Sequence, residues 1–425
     1  MGKITVVVLG DVGRSPRMQY HSLSLCQLGA VRLVGLRGEP CIPEVEANCQ
    51  ICALEDVELF RRLPYLLGAP LRALSLSLKL LGTLLSEDTD LFLVQNPPAI
   101  PTLVVVCVAA WLSGAAIVVD WHNLGFKMFP QETSGFARLT KQVERVVGSR
   151  MADLNLTVTV ALKQWLQQEF ILQPNTVCVL HDRPFGRFSA LTSSFQQERF
   201  EDILQLVGVS YQDAFVNRTV LLAVTSTSWT EDEDFDMLLE ACLAYKGKRK
   251  LYLVITGKGP LLAKYKPALA RFPNSHCQLQ SVWFSQQDYP KFLQVCQLGI
   301  SMHTSTSGLD LPMKVIDMFG SGLPVLAKQF DCVQELVRPG ENGILFSSAT
   351  ELAELLNKAG NGSLALDEMQ QHVKQHPLVG WQEHWNATVK HEFETLLLLT
   401  EARRTRTSWW WLVAVLLVAW GLELV

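Results

Sequence analysis

The sequence predicts an α/β protein of two doubly wound, Rossmann-like domains with an intervening cleft, followed by a C-terminal apolar tail helix. Three observations carry this expectation. β-Branched runs alternate with helix-length segments, the pattern of parallel strands joined by crossover helices. A polar stretch from Phe185 to Asn217 interrupts that rhythm, which then restarts. A length of 425 residues, 48% of them hydrophobic, supplies cores for two or three domains and excludes general disorder. The expected layout is residues 1–185 as first domain, 186–217 as linker, 218–360 as second domain, 361–406 as a helical segment and 407–425 as the tail.

Each element follows from its local pattern. ITVVVLG, from Ile4, is the first strand, and its apolar run is too short for a signal peptide. VRLVGL is the next. Leu63 to Leu85, relieved only by Arg72 and Lys79, reads as a helix able to bury one face in a membrane interface. The charge-free run from Leu91 to Val119 has the length of a spanning helix. Pro97, Pro98 and Pro101 break its start and Ser113-Gly114 its middle, so it reads instead as the strand LFLVQN, a helix, and the buried strand AIVVDW. LNLTVT and TVCVLHD complete the first sheet. TVLLAVTSTSW, KLYLVITGKG, HCQLQSVWF, LGISMHT and LPVLAK supply the second. A helix from Glu351 to Lys358 stops near Gly360, and the helical stretch from Leu364 to Glu401 turns back toward the first domain. Arg403, Arg404 and Arg406 then precede Trp409 to Trp411 and an uncharged run at 407–422, which reads as a membrane anchor that leaves the bulk of the chain in the cytosol; the alternative is a buried amphipathic terminal helix.

Charge narrows the function classes. Thirty-seven Lys and Arg against 41 Asp and Glu give a net charge of −4, so no basic field favours nucleic acid, and a locally held small anion is expected instead. Ten cysteines are too dilute for a disulfide scaffold, which fits a reduced compartment. Sequons at Asn155, Asn217, Asn361 and Asn386 would carry glycans only in a luminal domain, contrary to that topology.

Ligands of open α/β sheets collect at the carboxyl ends of the strands. The first strand ends in GDVGRSPRM, which is not the dinucleotide fingerprint; Gly13, Arg14 and Arg17 offer a turn with free N–H groups and two phosphate-binding cations, or simply a βα turn. Asp11 is a candidate general base or an N-cap. His122, in Asp120-Trp121-His122-Asn123, offers the same chemistry or a structural hydrogen bond. In the second domain, Ser226 to Thr230 precede an acidic helix start and suit a diphosphate. Glu231 to Asp234 read there as helix-start charges. Lys258 between Gly257 and Gly259 suits an anion. The strongest segment runs from His303 to Ala327: a small-residue loop leads to Lys314 and, three residues along one helix face, Asp317. A lysine there meets a diphosphate while the carboxylate clamps ribose hydroxyls; the alternative is a salt-bridged helix.

LGDVGRSPRMQYH, QNPPAIP, DWHN, HDRP, TSTSWTEDEDF, ITGKGP, DYP and TSTSGLDLPMKVIDMFG together resemble, in order along nearly the whole chain, the chitobiosyldiphosphodolichol β-mannosyltransferases of glycosyltransferase family 33. The resemblance implies a GT-B enzyme on the cytosolic face of the endoplasmic reticulum membrane. It would transfer mannose from GDP-mannose in β1,4 linkage to GlcNAc2-diphosphodolichol, with other dolichol-pathway mannosyltransferases as further candidate partners. It also implies a donor site on Ser226, Thr227, Ser228, Trp229, Gly257, Lys258, Gly259, Ser307, Gly308, Lys314 and Asp317. The acceptor would meet Gly13, Arg14, Arg17, Asp120 and Asn123, with Asp11 and His122 as catalytic candidates. No tightly bound cofactor or metal is expected, and Mg²⁺ enters at most as a stimulant. Family members in animals and fungi usually carry an N-terminal membrane helix, so here the anchor is expected in the tail. The competing readings are a transferase of another sugar nucleotide or acceptor, and a membrane-tethered, non-catalytic GT-B scaffold.

Overall fold

The computed structural model describes residues 2–54, 65–186, 188, 197–230, 233–285 and 287–402, with the backbone alone over 65–70 and 197–200. The expected tail at 407–425, its preceding arginines, part of the expected linker, and Glu231 and Asp232 lie outside the described residues. The chain divides into two units. Unit 1 takes the residues up to His181 and from Gln382 onward, and unit 2 runs from Asp182 to Trp381.

Unit 1 holds strands β1 (Gly2–Asp11), β2 (Gly29–Leu36), β3 (Gln50–Leu54), β4 (Leu91–Asn96), β5 (Ala116–Trp121), β6 (Leu154–Thr157) and β7 (Val177–Val179). They form one parallel sheet in the order β3-β2-β1-β4-β5-β6-β7. Unit 2 holds β8 (Val220–Ser226), β9 (Lys250–Thr256), β10 (Cys277–Ser281), β11 (Leu298–Ser301), β12 (Val325–Lys328) and β13 (Gly343–Phe346), parallel in the order β10-β9-β8-β11-β12-β13. Both are doubly wound sheets, with strand order reversing between β1 and β4 and between β8 and β11.

Strands covered on both faces need apolar residues at every position rather than at alternate ones. Hence Val6, Val7 and Val8 of β1, and Leu221 through Val224 of β8, are fully buried in succession. The edge strands β3 and β13 were not expected from the sequence. QICAL buries only Leu54 and GILF is four residues long, so neither shows a continuous apolar run.

The charge-free run is a strand, a helix over Thr102–Ser113 and a strand, with Gly114 ending the helix at φ +70°, a left-handed conformation that glycine adopts without a side-chain clash. Among the described residues no helix is long and apolar enough to cross a membrane. Part of the expected linker is instead packed structure. A helix over Gln197–Leu206 buries Ile203 and Leu204, and Phe188 meets Tyr289 edge to face at 5.9 Å. Its apolar residues form too narrow a stripe among charges to stand out in the sequence.

Beyond the helices Leu366–Gln375 and Trp381–Thr388, a further helix covers 390–402. From Gln382 this segment is part of unit 1: Trp385 is fully buried, donates from Nε1 to His21 Nδ1 at 3.2 Å and stacks on Phe393. The sequon at Asn155 is closed to modification in the folded chain, since its buried amide accepts from Trp121 Nε1 at 2.8 Å and donates to the Gly148 carbonyl.

Candidate active site

In unit 2 a cavity of about 220 Å³ opens where β8 and β9 end. Ser226, Thr227, Gly257, Lys314 and Asp317 line it together with the aromatic side chains of Phe188, Trp283, Phe284 and Tyr289. Two loops meet here almost without clearance. A Cβ on Gly257 would fall 1.8 Å from the Thr227 carbonyl oxygen, and one on Gly259 would fall 1.7 Å from that of Ser228. Gly257 also sits at φ +145°. Only glycine lets the two backbones approach this closely.

Glu233 organises the first loop from beneath. Its buried carboxylate accepts from the Thr227 hydroxyl and, at 2.9 Å, from the Ser228 N–H, while Lys314 Nζ lies 3.3 Å from it and donates to Ser228 Oγ at 2.9 Å. The expectation that Glu233 is a helix-start charge gives way to this role; Asp234 is the cap, accepting from the Met237 N–H. Burial, with the negative charge of Asp317 adding to it, pushes the Tyr289 phenol far above its ordinary range. The phenol therefore stays protonated, sharing a 2.7 Å hydrogen bond with Ser226. No sequence pattern singled out Glu233 or Phe188, because their roles depend on segments distant in the chain. The DYP motif did contain Tyr289.

Several expected donor residues are placed differently. Trp229 is wholly buried, stacked on Phe235 with ring centres 4.4 Å apart, and belongs to the core beneath the loop rather than to its surface. Lys258 lies over the Trp283 ring at 4.2 Å, at the cavity's aromatic rim. Ser307 and Gly308 are outside the cavity lining. They belong to a loop closed on itself, where Ser305 donates to Asp310, the Leu309 N–H meets Ser305 and Ser307 at 3.2 Å, and His303 lies 3.7 Å from Asp310.

Unit 1 carries a second polar centre at the end of β5. Asp120, with no exposed surface, receives both arms of the Arg17 fork at 2.8 Å and a 2.7 Å contact from His122 Nε2, with His21 Nε2 at 3.4 Å. Burial alone would raise the Asp120 carboxyl; Arg17 and the two histidines outweigh it and hold it well below the usual carboxylate range. Burial lowers His21, against the pull of Asp120. Arg17 also donates to the Leu180 carbonyl and is itself buried.

This corrects two acceptor assignments. Arg17 and Asp120 lie beneath the surface and hold each other, so neither meets an acceptor directly. His122 is a quarter exposed and can. Asn123 accepts from the neighbouring Leu124 N–H.

Asp11 is the N-cap rather than an open base. Its carboxylate accepts from the N–H groups of Gly13, Gly38 and Glu39 and lies 3.5 Å from Arg14 Nε, which leaves little lone-pair capacity for a substrate proton. Gly13 packs so near the Glu39 carbonyl that a Cβ would fall 2.2 Å from it, and Arg14 pairs with Glu39 at 3.1 Å.

Glu144 was not foreseen. Fully buried, it accepts from Asn96 Nδ2 at 2.8 Å and from the Gly125 N–H at 2.7 Å, tying the end of β4 to the loop after His122. Burial pushes its carboxyl up to about 7 despite these donors. A raised folded-state pKa gives stability that is complete below the unfolded value, about 4.3, and lost as pH rises through about 7. Glu144→Gln is therefore expected to remove a pH-dependent loss of order ~3 kcal/mol between pH 4.5 and 8. Urea titrations of both proteins across that range check this, and identical pH slopes would assign the titration elsewhere.

Among the described residues no three His, Cys, Asp or Glu side chains gather as a metal-binding group. The glycosyl transferases group 1 family matches residues 218–360, the unit 2 segment that contains β8 to β13. A solved glycosyltransferase from Rickettsia africae superposes with a TM-score of 0.66 over 93% of this chain and 99% of its own, at 11% identity, a likeness of fold. The family match, with two doubly wound sheets and a cavity at strand ends, makes this a glycosyltransferase of the GT-B fold. The chitobiosyldiphosphodolichol beta-mannosyltransferase of Dictyostelium discoideum is 34% identical over 416 residues, 84% of each chain. The human protein of that name is 34% identical over 91% of each. An Arabidopsis thaliana protein named UDP-glycosyltransferase TURAN is 35% identical over 84% of this chain and 88% of its own. The chain belongs to the chitobiosyldiphosphodolichol beta-mannosyltransferase family.

Proposed function

We propose that this protein is an inverting mannosyltransferase that moves mannose from GDP-mannose in β1,4 linkage onto GlcNAc2-diphosphodolichol, the first mannose of the N-glycan precursor. One observation carries the reading: in a chain of this family, Lys314 and Asp317 line one cavity together with the glycine-tight loops at 226–230 and 257–259. Lys314 and the loop N–H groups suit a diphosphate, and Asp317 suits ribose hydroxyls.

In the transfer, the acceptor hydroxyl oxygen bonds to the mannose anomeric carbon as the bond to phosphate breaks. His122 takes the hydroxyl proton. With Nε2 held on Asp120, its Nδ1 carries the lone pair, and the carboxylate stabilises the imidazolium that forms. Asp11, committed to backbone N–H groups, is not assigned this step. A dolichyl-diphosphate acceptor supports a site of action at the endoplasmic reticulum membrane, and the cytosolic face is proposed on the sequence resemblance. Mg²⁺ has no assigned role.

The test is a transfer assay of the detergent-solubilised protein with GDP-mannose and a GlcNAc2-diphosphate lipid, reading product mass and linkage. A β1,4-mannosylated product supports the reading. The UDP in the name of the Arabidopsis relative supplies a second reading, a UDP-sugar donor, and transfer from UDP-sugars alone would establish it. Donor binding without transfer to any lipid acceptor would favour the non-catalytic scaffold. Asp317→Ala is expected to weaken GDP binding by about 1–3 kcal/mol, the loss of hydrogen bonds to a charged group. Unchanged affinity by calorimetry would remove Asp317 from the donor site.

A further inference from the structure

Asp120 faces two imidazoles, and the transfer needs a proton on only one of them. His122 is a quarter exposed, whereas His21 has no exposed surface. His21 lies on the helix Pro16–Leu25, four residues after Arg17, so both side chains leave one face of that helix toward the end of β5. The helix Trp381–Thr388 meets the same helix twice. Ser24 donates from its hydroxyl to Gln382 Oε1 at 3.0 Å, and Trp385 Nε1 donates to His21 Nδ1 at 3.2 Å. The indole is held in place by full burial and by the Phe393 ring, 5.4 Å away centre to centre.

An indole nitrogen can only donate, so His21 Nδ1 presents its lone pair, and the proton of the neutral ring sits on Nε2, 3.4 Å from Asp120 Oδ2. A second proton, on Nδ1, would set two N–H groups against each other where neither side chain has exposed surface. Arg17 on its own helix, Asp120 at the end of β5 and His122 just after it are the charged and titratable groups that act on the ring. Burial lowers His21 most, and Arg17 and His122 add to it against the pull of Asp120. On the covering helix, His384 lies beside the His181 ring, 6.5 Å centre to centre. With His21 held neutral, the proton that the Asp120 carboxylate stabilises goes to His122.

We propose that Trp385 is a positioning residue for the transfer: its N–H fixes His21 as the neutral Nε2–H tautomer, which reserves the Asp120 carboxylate for the imidazolium formed on His122. The inference rests on the reading of His122 as the base, and it gives the C-terminal segment a part in the proton transfer.

In imidazole nitrogen-15 spectra of the full, detergent-solubilised chain, the His21 signal is identified by its loss in His21→Gln. It is expected to report a neutral Nε2–H ring from about pH 5 to 8. An Nδ1–H ring, or a His21 that titrates in this range, would overturn the proposal. Trp385→Phe keeps a ring against Phe393 and removes the donor. His21 can then take up a proton as pH falls, and its charge beside His122 is expected to move the acid limb of the transfer rate down by about one pH unit. The KM for GDP-mannose should not change, because the cavity proposed for it lies in unit 2. In a His21→Gln background the side chain still accepts and donates but cannot charge, so Trp385→Phe is expected to leave the limb where His21→Gln alone puts it. An equal shift in both backgrounds, or none in either, would mean that Trp385 serves packing alone and would overturn the proposal. His122→Gln separates this inference from the base reading. Transfer at the wild-type rate would refute the base, and with it the role of Trp385, even with the His21 tautomer as stated. Loss of transfer there, with an unmoved limb in Trp385→Phe, would keep the base and refute the inference.

Discussion

Arg17→Ala is expected to cost unit 1 about 3–5 kcal/mol, the penalty of leaving a buried carboxylate without its partner. Asp120 has no exposed surface, and both of its oxygens are held by the Arg17 fork at 2.8 Å. A domain's whole stability is about 5–15 kcal/mol, so the variant should unfold at a markedly lower urea concentration. The sign with pH follows from the depressed Asp120 carboxyl. Its stabilisation is present above the ordinary carboxylate range and is lost as pH falls below it. Arg17→Met/Asp120→Leu should recover most of the midpoint, because neither charge is then buried alone. That double variant also deprives His122 of its carboxylate, so transfer should remain reduced by about 10²–10⁴-fold while stability returns. A single-variant midpoint equal to wild type would mean that water reaches Asp120 and the buried pair is not a structural requirement. Recovered stability with full transfer would remove His122 from the reaction.

Gly259→Ala should abolish most donor binding with little loss of overall stability. The added Cβ would sit 1.7 Å from the Ser228 carbonyl oxygen and 2.9 Å from Trp229 Cβ, and Trp229 is anchored in the core by its stacked ring. The backbone at 226–230 must therefore move, taking with it the Ser228 hydroxyl that meets Lys314 and the Thr227 hydroxyl that meets Glu233. A loss of about 100-fold in GDP affinity, ~2.7 kcal/mol, is expected by calorimetry. Gly257→Ala should act alike, with its positive φ adding strain. Gly380→Ala, where nothing lies within 4 Å of the new Cβ, is the control. Wild-type affinity in Gly259→Ala would mean that the position of this loop does not set donor binding.

Much of the cavity at the ends of β8 and β9 is legible in the chain. Lys314 and Asp317 are three apart on one helix face, and Gly257 and Gly259 follow a strand directly, so local spacing alone brings out each pair. The settings that the sequence does not show are chiefly those in which the partner is remote. Arg17 and Asp120 are 103 residues apart, and an arginine near a strand end has the same one-dimensional signature whether it faces a phosphate or a buried carboxylate. Glu233 in an acidic run looks like its exposed neighbours until Thr227, Ser228 and Lys314 close around it. Glu144 shows only as one acid in an amphipathic helix.

The sequence by itself determined the two doubly wound sheets, the strand that leads into His122, the return of the C-terminal helices to the first domain and the family, because hydrophobic period and ordered motifs are local properties of the chain. Tertiary structure alone decided which charged groups are buried and paired, that Asp11 is a cap, that Trp229 is core, and that Trp385 meets His21. Burial and pairing depend on what a side chain meets across the fold, and that is fixed only when distant segments pack.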